Sequence, residues 1–305
     1  MNKPYLVSIV GPTAIGKTSK SIALAQHFSS EILSADSRQF YKELSVGTAV
    51  PTAKELAAAP HHFIQHVSIS EKYSVGDFEK EALHKLEKLF KKHKILFLVG
   101  GSGLYVDAVN KGLDHFPKVE ASIREKLNVQ VQKHGLESLQ LQLKELDPIH
   151  YKKVALSNPQ RVIRALEICL GTGKPYSSFL NHSAKERNFN SLKIGLDAPR
   201  PLIYERIEKR VVLMMQNGLL EEARELYPLR ELNALNTVGY KELFQYFDGT
   251  WSLDFALSEI KKNTRRFAKR QLTWFKRDEH TYWFSYDADA QEIADFITQK
   301  VDQKK

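Results

Sequence analysis

Cysteine is almost absent from this sequence: Cys169 is the only one. A single thiol cannot close an intrachain disulfide or build a cysteine-rich zinc site, so an apolar core must hold the fold. A reduced, cytosolic protein is the simplest reading. Long apolar runs are missing too. The longest candidate, residues 95–101, has strand length, far short of the roughly 18 to 20 residues that cross a bilayer. The opening MNKPYLVSIVG runs straight into a glycine motif, which is not the pattern of a secretory leader. No internal repeat and no low-complexity tract is present. What remains is ordinary globular composition, 42% hydrophobic and 27% charged over 305 residues, enough for one large domain or a domain with an insertion. Acids are in deficit: 36 against 45 basic residues leave a formal charge of +9, which is either diffuse or gathered on a surface that meets a polyanion.

Residues 5–10 form an apolar run ending at Gly11 and read as a buried first strand. Residues 17–28 place Ile22, Leu24 and Ala25 on one side and read as a helix. A second short strand is expected over 31–35, ending at Asp36. Residues 77–92 read as a helix with Asp77 as N-cap, an apolar stripe of Phe78, Leu83, Leu86 and Leu89, and a lysine-rich last turn that suits the helix dipole. Residues 95–99 are a continuous apolar strand ending in Gly100-Gly101. Such strands alternating with helices indicate a parallel sheet covered on both faces. From about 111 to 190 strands vanish, and helices are expected over 123–132, 136–146 and 160–170. A strand returns over 192–196, followed by Asp197-Ala198-Pro199, a long helical stretch over 201–226 and further helix to about Phe275. The expected fold is α/β: a parallel sheet flanked by helices built from 1–112 and 191–305, an all-helical insertion over 113–190, and a helical C-terminal region.

Gly11-Pro12-Thr13-Ala14-Ile15-Gly16-Lys17-Thr18 matches GxxxxGK[ST] in full, with a strand before it and a helix after it, so the sheet is of the P-loop NTPase-like kind. The glycines let backbone N–H groups approach phosphate oxygens, and the helix N-terminus adds its dipole. Lys17 supplies a charge to the terminal phosphate and Thr18 a hydroxyl to a magnesium ion, Mg2+. The loop predicts a bound di- or triphosphate. The strand 95–99 ends in glycines rather than in a magnesium-binding Asp, and only 192–196 is followed by an acid, Asp197. That weakens a motor or switch reading and favours a small transferase acting on an acceptor at the strand ends. Asp36, in a polar cluster with Ser37, Arg38 and Gln39, belongs at that edge, either as general base toward the acceptor or as the cap of the next turn.

The charge is concentrated. Residues 261–280 hold eight basic and two acidic residues, so six of the nine net positive charges fall in twenty residues. On a helix the basic groups cover about half the circumference, and Ile260, Phe267, Ala268, Leu272, Trp274 and Phe275 fall on the other half. One face then docks on the protein and the other meets phosphate, which favours a nucleic acid and salt-sensitive binding. Thr237-Val238-Gly239-Tyr240-Lys241 reads as a turn whose tyrosine either stacks on a base or is buried. His61, His62 and His66 lack a carboxylate or cysteine nearby to complete a metal set and read as structural. Cys169 reads as inert core.

The motifs also share an order. GPTAIGKT at 11–18, SADSRQFY at 34–41, VGTAVP at 46–51, His61-His62, GGSGLY at 100–105, QRVIRALE at 160–167, TVGYKE at 237–242 and KRQLTWF at 269–275 together resemble the bacterial tRNA dimethylallyltransferase family, also called isopentenyl-diphosphate:tRNA isopentenyltransferases. The likeness covers nearly the whole chain. Two departures are small: Ser102 stands where Thr is commoner and keeps the hydroxyl, and Val50 stands where Lys is commoner and removes a charge.

The resemblance implies transfer of a dimethylallyl group from dimethylallyl diphosphate to the exocyclic N6 of the adenosine immediately 3′ of the anticodon, assisted by Mg2+. The phosphate loop then holds the donor's diphosphate, and Asp36, Lys17 and Thr18 form the catalytic set. Arg161 and Arg164, at i and i+3 on one helix, either reach one anion, diphosphate or tRNA, or are surface arginines. The target base leaves its stack for a pocket at Asp36, Ser37, Arg38, Gln39 and Ser102. Further tRNA contacts are expected at Arg124, Gln160, Arg161, Val162, Ile163 and Arg164, at Thr237, Gly239, Tyr240 and Lys241, and at Arg265, Lys269, Arg270, Gln271 and Trp274. A channel is expected, with diphosphate at the loop end and the nucleobase at the Asp36 end. The expected partners are the tRNA anticodon arm and dimethylallyl diphosphate, with no membrane, for a cytoplasmic monomer. The competing readings are an ATP-dependent small-molecule or nucleoside kinase, with the arginine-rich helix after 192–197 as its lid, and an RNA-binding ATP sensor.

Neutralising Arg265, Lys269 and Arg270 together is expected to raise the apparent constant for tRNA and flatten its salt dependence while sparing the prenyl donor. Binding titrations from about 50 to 200 mM salt read this. An unchanged slope removes the segment from the RNA surface.

Overall fold

The computed structural model describes residues 3–180 and 185–303. The chain forms two compact units, Met1–Lys111 with Glu186–Lys305, and Gly112–Lys185. In the first unit the strands are β1 (Tyr5–Val10), β2 (Ile32–Ser34), β3 (His61–His62), β4 (Ile95–Val99), β5 (Asn190–Asp197) and β6 (Thr281–Ser285). They make one sheet in the order β3-β2-β4-β1-β5-β6, and every pairing is parallel. Four helices lie in the first stretch of this unit: α1 (Lys17–His27), α2 (Ala53–Ala58), α3 (Val75–Leu89) and α4 (Gly103–Lys111).

The second unit is helical, with α5 (Ala121–Leu146), α6 (Pro148–Tyr151) and α7 (Pro159–Thr172). Gly135 breaks the helical geometry within α5, where the sequence divides two helices. Leu127, Leu139 and Leu143 of α5 pack against Val162, Ile163 and Leu166 of α7. Cys169 is buried in α7, and its sulfur accepts the N–H of Tyr176 at 3.3 Å. The first unit continues after β5 with α8 (Arg200–Gln216), α9 (Leu219–Leu226), α10 (Tyr240–Phe247), α11 (Leu253–Phe275) and α12 (Ala290–Asp302).

All six residues of β1 are buried, as a run without polar alternation requires when both faces are covered. Val7 and Ile9 pack with Ile22, Leu24 and Ala25 of α1 and with Ile293 and Ile297 of α12. Leu6 and Val10, on the opposite face, pack with Phe78, Ala82 and Leu86 of α3 and Val106 and Val109 of α4. A third cluster joins α8 to α11 to the segment after β2: Val211, Leu219, Ala223, Tyr240, Leu243, Phe244 and Ile260 surround Tyr41, Leu44, Val67 and Ile69.

Several boundaries differ from the sequence reading. Ser74, not Asp77, caps α3: its hydroxyl accepts the Asp77 N–H at 3.2 Å while the Asp77 carboxylate accepts the Ser74 N–H at 2.9 Å, a reciprocal capping box. The stretch 201–226 is two helices, because Gly218 adopts a left-handed φ of 93° between them. The strands β3 and β6 and the helices α2, α4 and α12 were not anticipated. The histidines have structural partners. His62 and His93 lie 2.6 and 3.1 Å from Glu31, and His66 packs against the rings of Phe40, Phe63 and Tyr73. No group of three His, Cys, Asp or Glu suited to a metal ion occurs among the described residues, and no described helix is long and apolar enough to cross a membrane.

Behind the sheet edge, buried Lys193 of β5 reaches Asp107 at 3.2 Å and Asp278 at 2.7 Å, and Lys111 reaches Asp278 at 2.9 Å. Burial acts to raise the Asp278 pKa, but bonds from Lys193, Lys111 and the His280 N–H outweigh it and hold the carboxyl well below the usual carboxylate range. A depressed carboxylate contributes stability above its unfolded pKa of about 4 and loses it as the pH falls through the folded value. Asp278→Asn is expected to cost about 3 kcal/mol at pH 7, by leaving Lys193 short of a partner. In thermal melts the gap to the parent should narrow below about pH 4; a gap that is constant with pH contradicts the assignment.

Candidate active site

The site lies at the C-terminal edge of the sheet. The loop leaves β1 at Gly11 and enters α1 through Gly16. Beside it, β2 and β4 run in register to Ser34 opposite Val99, and the Ala35 N–H donates to Val99 O at 2.7 Å. That ladder puts Asp36 next to the glycines after β4. A Cβ on Gly100 would sit 2.4 Å from the Ala35 carbonyl, so glycine is required for the two strand ends to come so close.

Asp36 fills one of the two roles its position suggested, the cap of its own turn. Its Oδ1 accepts the Arg38 N–H at 3.1 Å and closes the turn. Its Oδ2 has no hydrogen-bond partner among the described residues, so it is available to take a proton. Ser37 and Ser102 join the two strand ends through their hydroxyls at 3.1 Å, and the Ser37 N–H also donates to Ser102 Oγ at 3.1 Å.

Two cavities meet here. The larger, of about 920 Å3, is lined by Thr13–Thr18 of the loop, by Val46, Val50 and Pro51, and by Arg206, Lys209 and Arg210 of α8. The smaller, of about 540 Å3, is lined by Ser37, Ser102, Thr237, Gly239, Lys241, Phe267, Arg270 and Trp274. Asp36, Thr13, Arg210, Met214 and Gln271 line both. Asp36 therefore stands at the junction of a basic, loop-lined chamber and one rimmed by an indole, a phenyl ring and cationic side chains.

Lys17 points back along its own loop and donates to Gly11 O and Pro12 O at 3.0 and 2.8 Å. Burial pulls its pKa down to about 8; the Asp36 charge opposes this and Arg210 adds to it. The Thr18 hydroxyl lines the larger cavity and has no hydrogen-bond partner among the described residues. It is a single oxygen of the kind that Mg2+ accepts when substrate phosphates and water complete its shell.

Sequence reasoning missed Arg206 and Arg210. Arg206 Nε donates to Ala14 O at 2.7 Å and Arg210 Nη1 to Thr13 Oγ1 at 3.2 Å, so α8 clasps the loop from the far side. Their i, i+4 spacing after a parallel strand was the available signal, and the kinase alternative absorbed it as a lid. Asp107 was also missed; it accepts the Trp274 indole N–H at 2.8 Å and fixes that ring at the cavity wall.

Several expected tRNA contacts need correction. Val162 and Ile163 are 0% and 2% exposed; they are the core stripe of α7 and present no side chain to RNA. Tyr240 is fully buried with its hydroxyl on Glu222 at 2.6 Å, so the buried alternative holds and base stacking does not. Gln271 is buried as well. Its carbonyl accepts the Thr13 N–H at 2.8 Å and its amide donates to Gly101 O at 3.0 Å, so it ties α11 to the phosphate loop. Arg38 donates to Ala234 O at 3.1 Å and Gln39 to Ala49 O at 2.9 Å, so each side chain braces backbone, while Arg38 also lines the smaller cavity and Gln39 the larger.

The basic segment also differs. α11 ends at Phe275, so Lys276 and Arg277 lie beyond it. Acids pair with the segment: Arg265 with Glu208 of α8 at 2.9 Å, Lys276 with Asp197 at 2.6 Å, and Lys262 with Glu259 one turn earlier on α11 itself. Phe267, expected on the docking face, is 38% exposed at the smaller cavity. Lys269 and Arg270 remain exposed without carboxylate partners among the described residues, and they carry the salt-slope prediction in place of Arg265. In the second unit, Glu167 gathers Arg124 and Arg164 at 3.1 and 3.0 Å, Gln160 accepts from Arg124 at 2.8 Å, and Arg161 is exposed in the first turn of α7.

A phosphate loop beside an available carboxylate, with a second chamber opening from that carboxylate, is the layout of a P-loop transferase. The model of the family described as IPP transferase matches residues 39–278. The tRNA dimethylallyltransferase of Christiangramia forsetii is 62% identical over 297 residues, covering 97% of this chain and 98% of that protein; that of Flavobacterium johnsoniae is 58% identical over 303 residues, covering 97% and 98%. The solved tRNA isopentenylpyrophosphate transferase of Bacillus halodurans is 38% identical with a TM-score of 0.74, covering 99% of this chain and 98% of that one. A eukaryotic dimethylallyltransferase acting on tRNA is 26% identical with a TM-score of 0.82, covering 97% and 80%. The chain belongs to the IPP transferase family.

For a prenyl diphosphate ester, kcat/KM is expected to fall as the pH rises through about 8, where free Lys17 loses its proton and, with it, the charge that meets phosphate. Lys17→Arg should move that fall to higher pH, because an arginine keeps its proton. A parent profile flat to about pH 9.5 excludes a role for the Lys17 charge.

Proposed function

We propose that this enzyme transfers the dimethylallyl group of dimethylallyl diphosphate to N6 of the adenosine 3′-adjacent to the anticodon of tRNA and releases diphosphate. The observation that carries the reading is Asp36 at the junction of the two cavities. Supported by the relatives, the same layout speaks against the kinase alternative, since the chamber beyond Asp36 is rimmed for a nucleobase on a large polyanion.

The donor's diphosphate sits on the amides of the loop, between Lys17 on one side and Arg206 and Arg210 on the other. Its five-carbon group lies against Val46, Val50 and Pro51. The adenine leaves its stack and enters the smaller chamber, where Trp274 and Phe267 offer apolar faces. The exocyclic amine attacks the allylic carbon as the C–O bond breaks. The electron pair leaves with diphosphate, and Asp36 Oδ2 takes the N6 proton. Lys17, Arg210 and the loop amides, already fixed in place, stabilise the charge that grows on the leaving group. Thr18 would hold Mg2+, which when bound would add charge neutralisation at the leaving diphosphate. An amine this weak as a nucleophile needs alignment as much as deprotonation, and the Asp36 turn and the Ser37–Ser102 bonds provide it.

Lys241, Lys269 and Arg270 rim the smaller chamber or the helix face beside it and suit the phosphates of the anticodon arm. In the second unit Arg161 is exposed and suits RNA phosphate, and Arg124 and Arg164 lie beside it on Glu167. A tRNA substrate fits a cytoplasmic enzyme, and because one chain supplies both cavities, the reaction requires no second copy.

Incubation with labelled dimethylallyl diphosphate, magnesium and unmodified tRNA should place the label in RNA. Asp36→Ala should lower turnover by about a hundredfold or more while tRNA affinity stays within a few fold. Phosphorylation of a nucleoside from ATP, with no label in RNA, overturns the function; normal turnover by Asp36→Ala at saturating tRNA overturns the base role.

A further inference from the structure

Glu222 of α9 accepts four hydrogen bonds on one carboxylate. Its Oε2 takes the backbone N–H groups of Ser45 and Val46 at 2.9 and 2.8 Å. Its Oε1 takes the Gly47 N–H at 2.9 Å and the Tyr240 hydroxyl at 2.6 Å. Three consecutive amides that turn to one point have no ladder or helix to satisfy them, and an anion answers them with charge-assisted bonds. The Tyr240 ring closes the clamp. A Cβ on Gly47 would lie 2.6 Å from Tyr240 Cζ, so only glycine lets loop and ring meet.

This clamped loop divides the two cavities. Val46, Val50 and Pro51 face the phosphate-loop chamber, and Gly47 and Thr48 face the other. The loop is also tied to Asp36. Gln39 Nε2 donates to Thr48 O and Ala49 O at 3.4 and 2.9 Å. Gln39 Oε1 accepts the Ser34 hydroxyl at 3.2 Å, and Ser34 Oγ accepts the Asp36 N–H at 3.3 Å. Hydrogen bonds and this short stretch of backbone thus run from Glu222 to the turn that carries Asp36. Glu222 itself lines neither cavity.

We infer that Glu222 is a positioning residue for prenyl transfer: it holds the loop that walls the donor chamber and, through Gln39 and Ser34, fixes the Asp36 turn. The inference rests on the prenyl-transfer reading above. Its chemistry requires a carboxylate. A glutamine at 222 has one acceptor oxygen, so its NH2 would face either the Ser45 and Val46 N–H groups or the Gly47 N–H and the Tyr240 hydroxyl; the hydroxyl can turn and accept, but at least one backbone N–H is left without a partner in either case.

The test compares Glu222→Gln and Tyr240→Phe with the parent in steady-state transfer from labelled dimethylallyl diphosphate to tRNA, and in amide hydrogen exchange of the peptide spanning 42–50. For Glu222→Gln we expect kcat to fall on the order of ten- to a hundredfold and the donor KM to rise several-fold, with tRNA affinity within about twofold and faster exchange at 45–47. Tyr240→Phe keeps the ring, removes one donor and should shift the same quantities in the same direction by less. Parent values of kcat and donor KM in Glu222→Gln overturn the proposal even if the variant melts lower, as does a loss of tRNA affinity that matches the loss of rate. Should Glu222→Gln not fold, Tyr240→Phe decides, and parent kinetics with parent exchange overturn it. A parent chain that places no label in RNA tells against the prenyl-transfer reading instead; unchanged exchange at 45–47 in Glu222→Gln then still overturns the clamp.

Discussion

The parallel ladder between β2 and β4 is the constraint on which the site depends. Its last bond, from the Ala35 N–H to Val99 O, delivers the chain after β2 to the same edge as the loop after β1 and the glycines after β4. Asp36, Ser102 and the phosphate loop are far apart in sequence and meet only because three parallel strands end together. The sheet brings that carboxylate to the edge where the phosphate loop lies, and the bonds through Ser34 and Gln39 then hold the turn that carries it. The close approach at Gly100 shows how little room the arrangement leaves.

The C-terminal helices complete the site from outside the sheet. α8 reaches the phosphate loop with Arg206 and Arg210, α9 and α10 clamp the 45–47 loop with Glu222 and Tyr240, and α11 reaches the loop with Gln271. Many of these bonds end on backbone groups of the loops. A loop that must approach a ligand cannot spend its amides on a ladder, so side chains from neighbouring helices satisfy the groups that face away. The basic surface of α11 and the phosphate loop are therefore one mechanical unit: Gln271 sits beside Arg270 and touches Thr13.

The sequence showed whatever was local. The apolar runs of β1 and β4 and the eight residues from Gly11 to Thr18 needed no partner to be recognised, and the end of β2 marked Asp36. Partners were the part that stayed hidden. Tyr240 and Gln271 looked like RNA contacts because their neighbours are basic or turn-forming, yet each is spent on a bond to an element over a dozen residues away. Val162 and Ile163 were carried along by a motif whose arginines face out and whose apolar residues must face in. Arg265 looked free because the acid that pairs with it, Glu208, lies on another helix. β6 escaped because TYWFS is a short edge strand with mixed burial, without the continuous apolar run that marks a central one.

The central claim is that Asp36 meets the acceptor amine where two chambers join. A crystal structure with an unreactive thio analogue of dimethylallyl diphosphate and an anticodon stem-loop tests it most directly. The account predicts the diphosphate on the amides of the phosphate loop, the adenine in the chamber of Trp274 and Phe267, and its N6 about 3 Å from Asp36 Oδ2. An adenine that stays stacked in the RNA, or lies beyond hydrogen-bond reach of Asp36 while the donor occupies the loop, contradicts it.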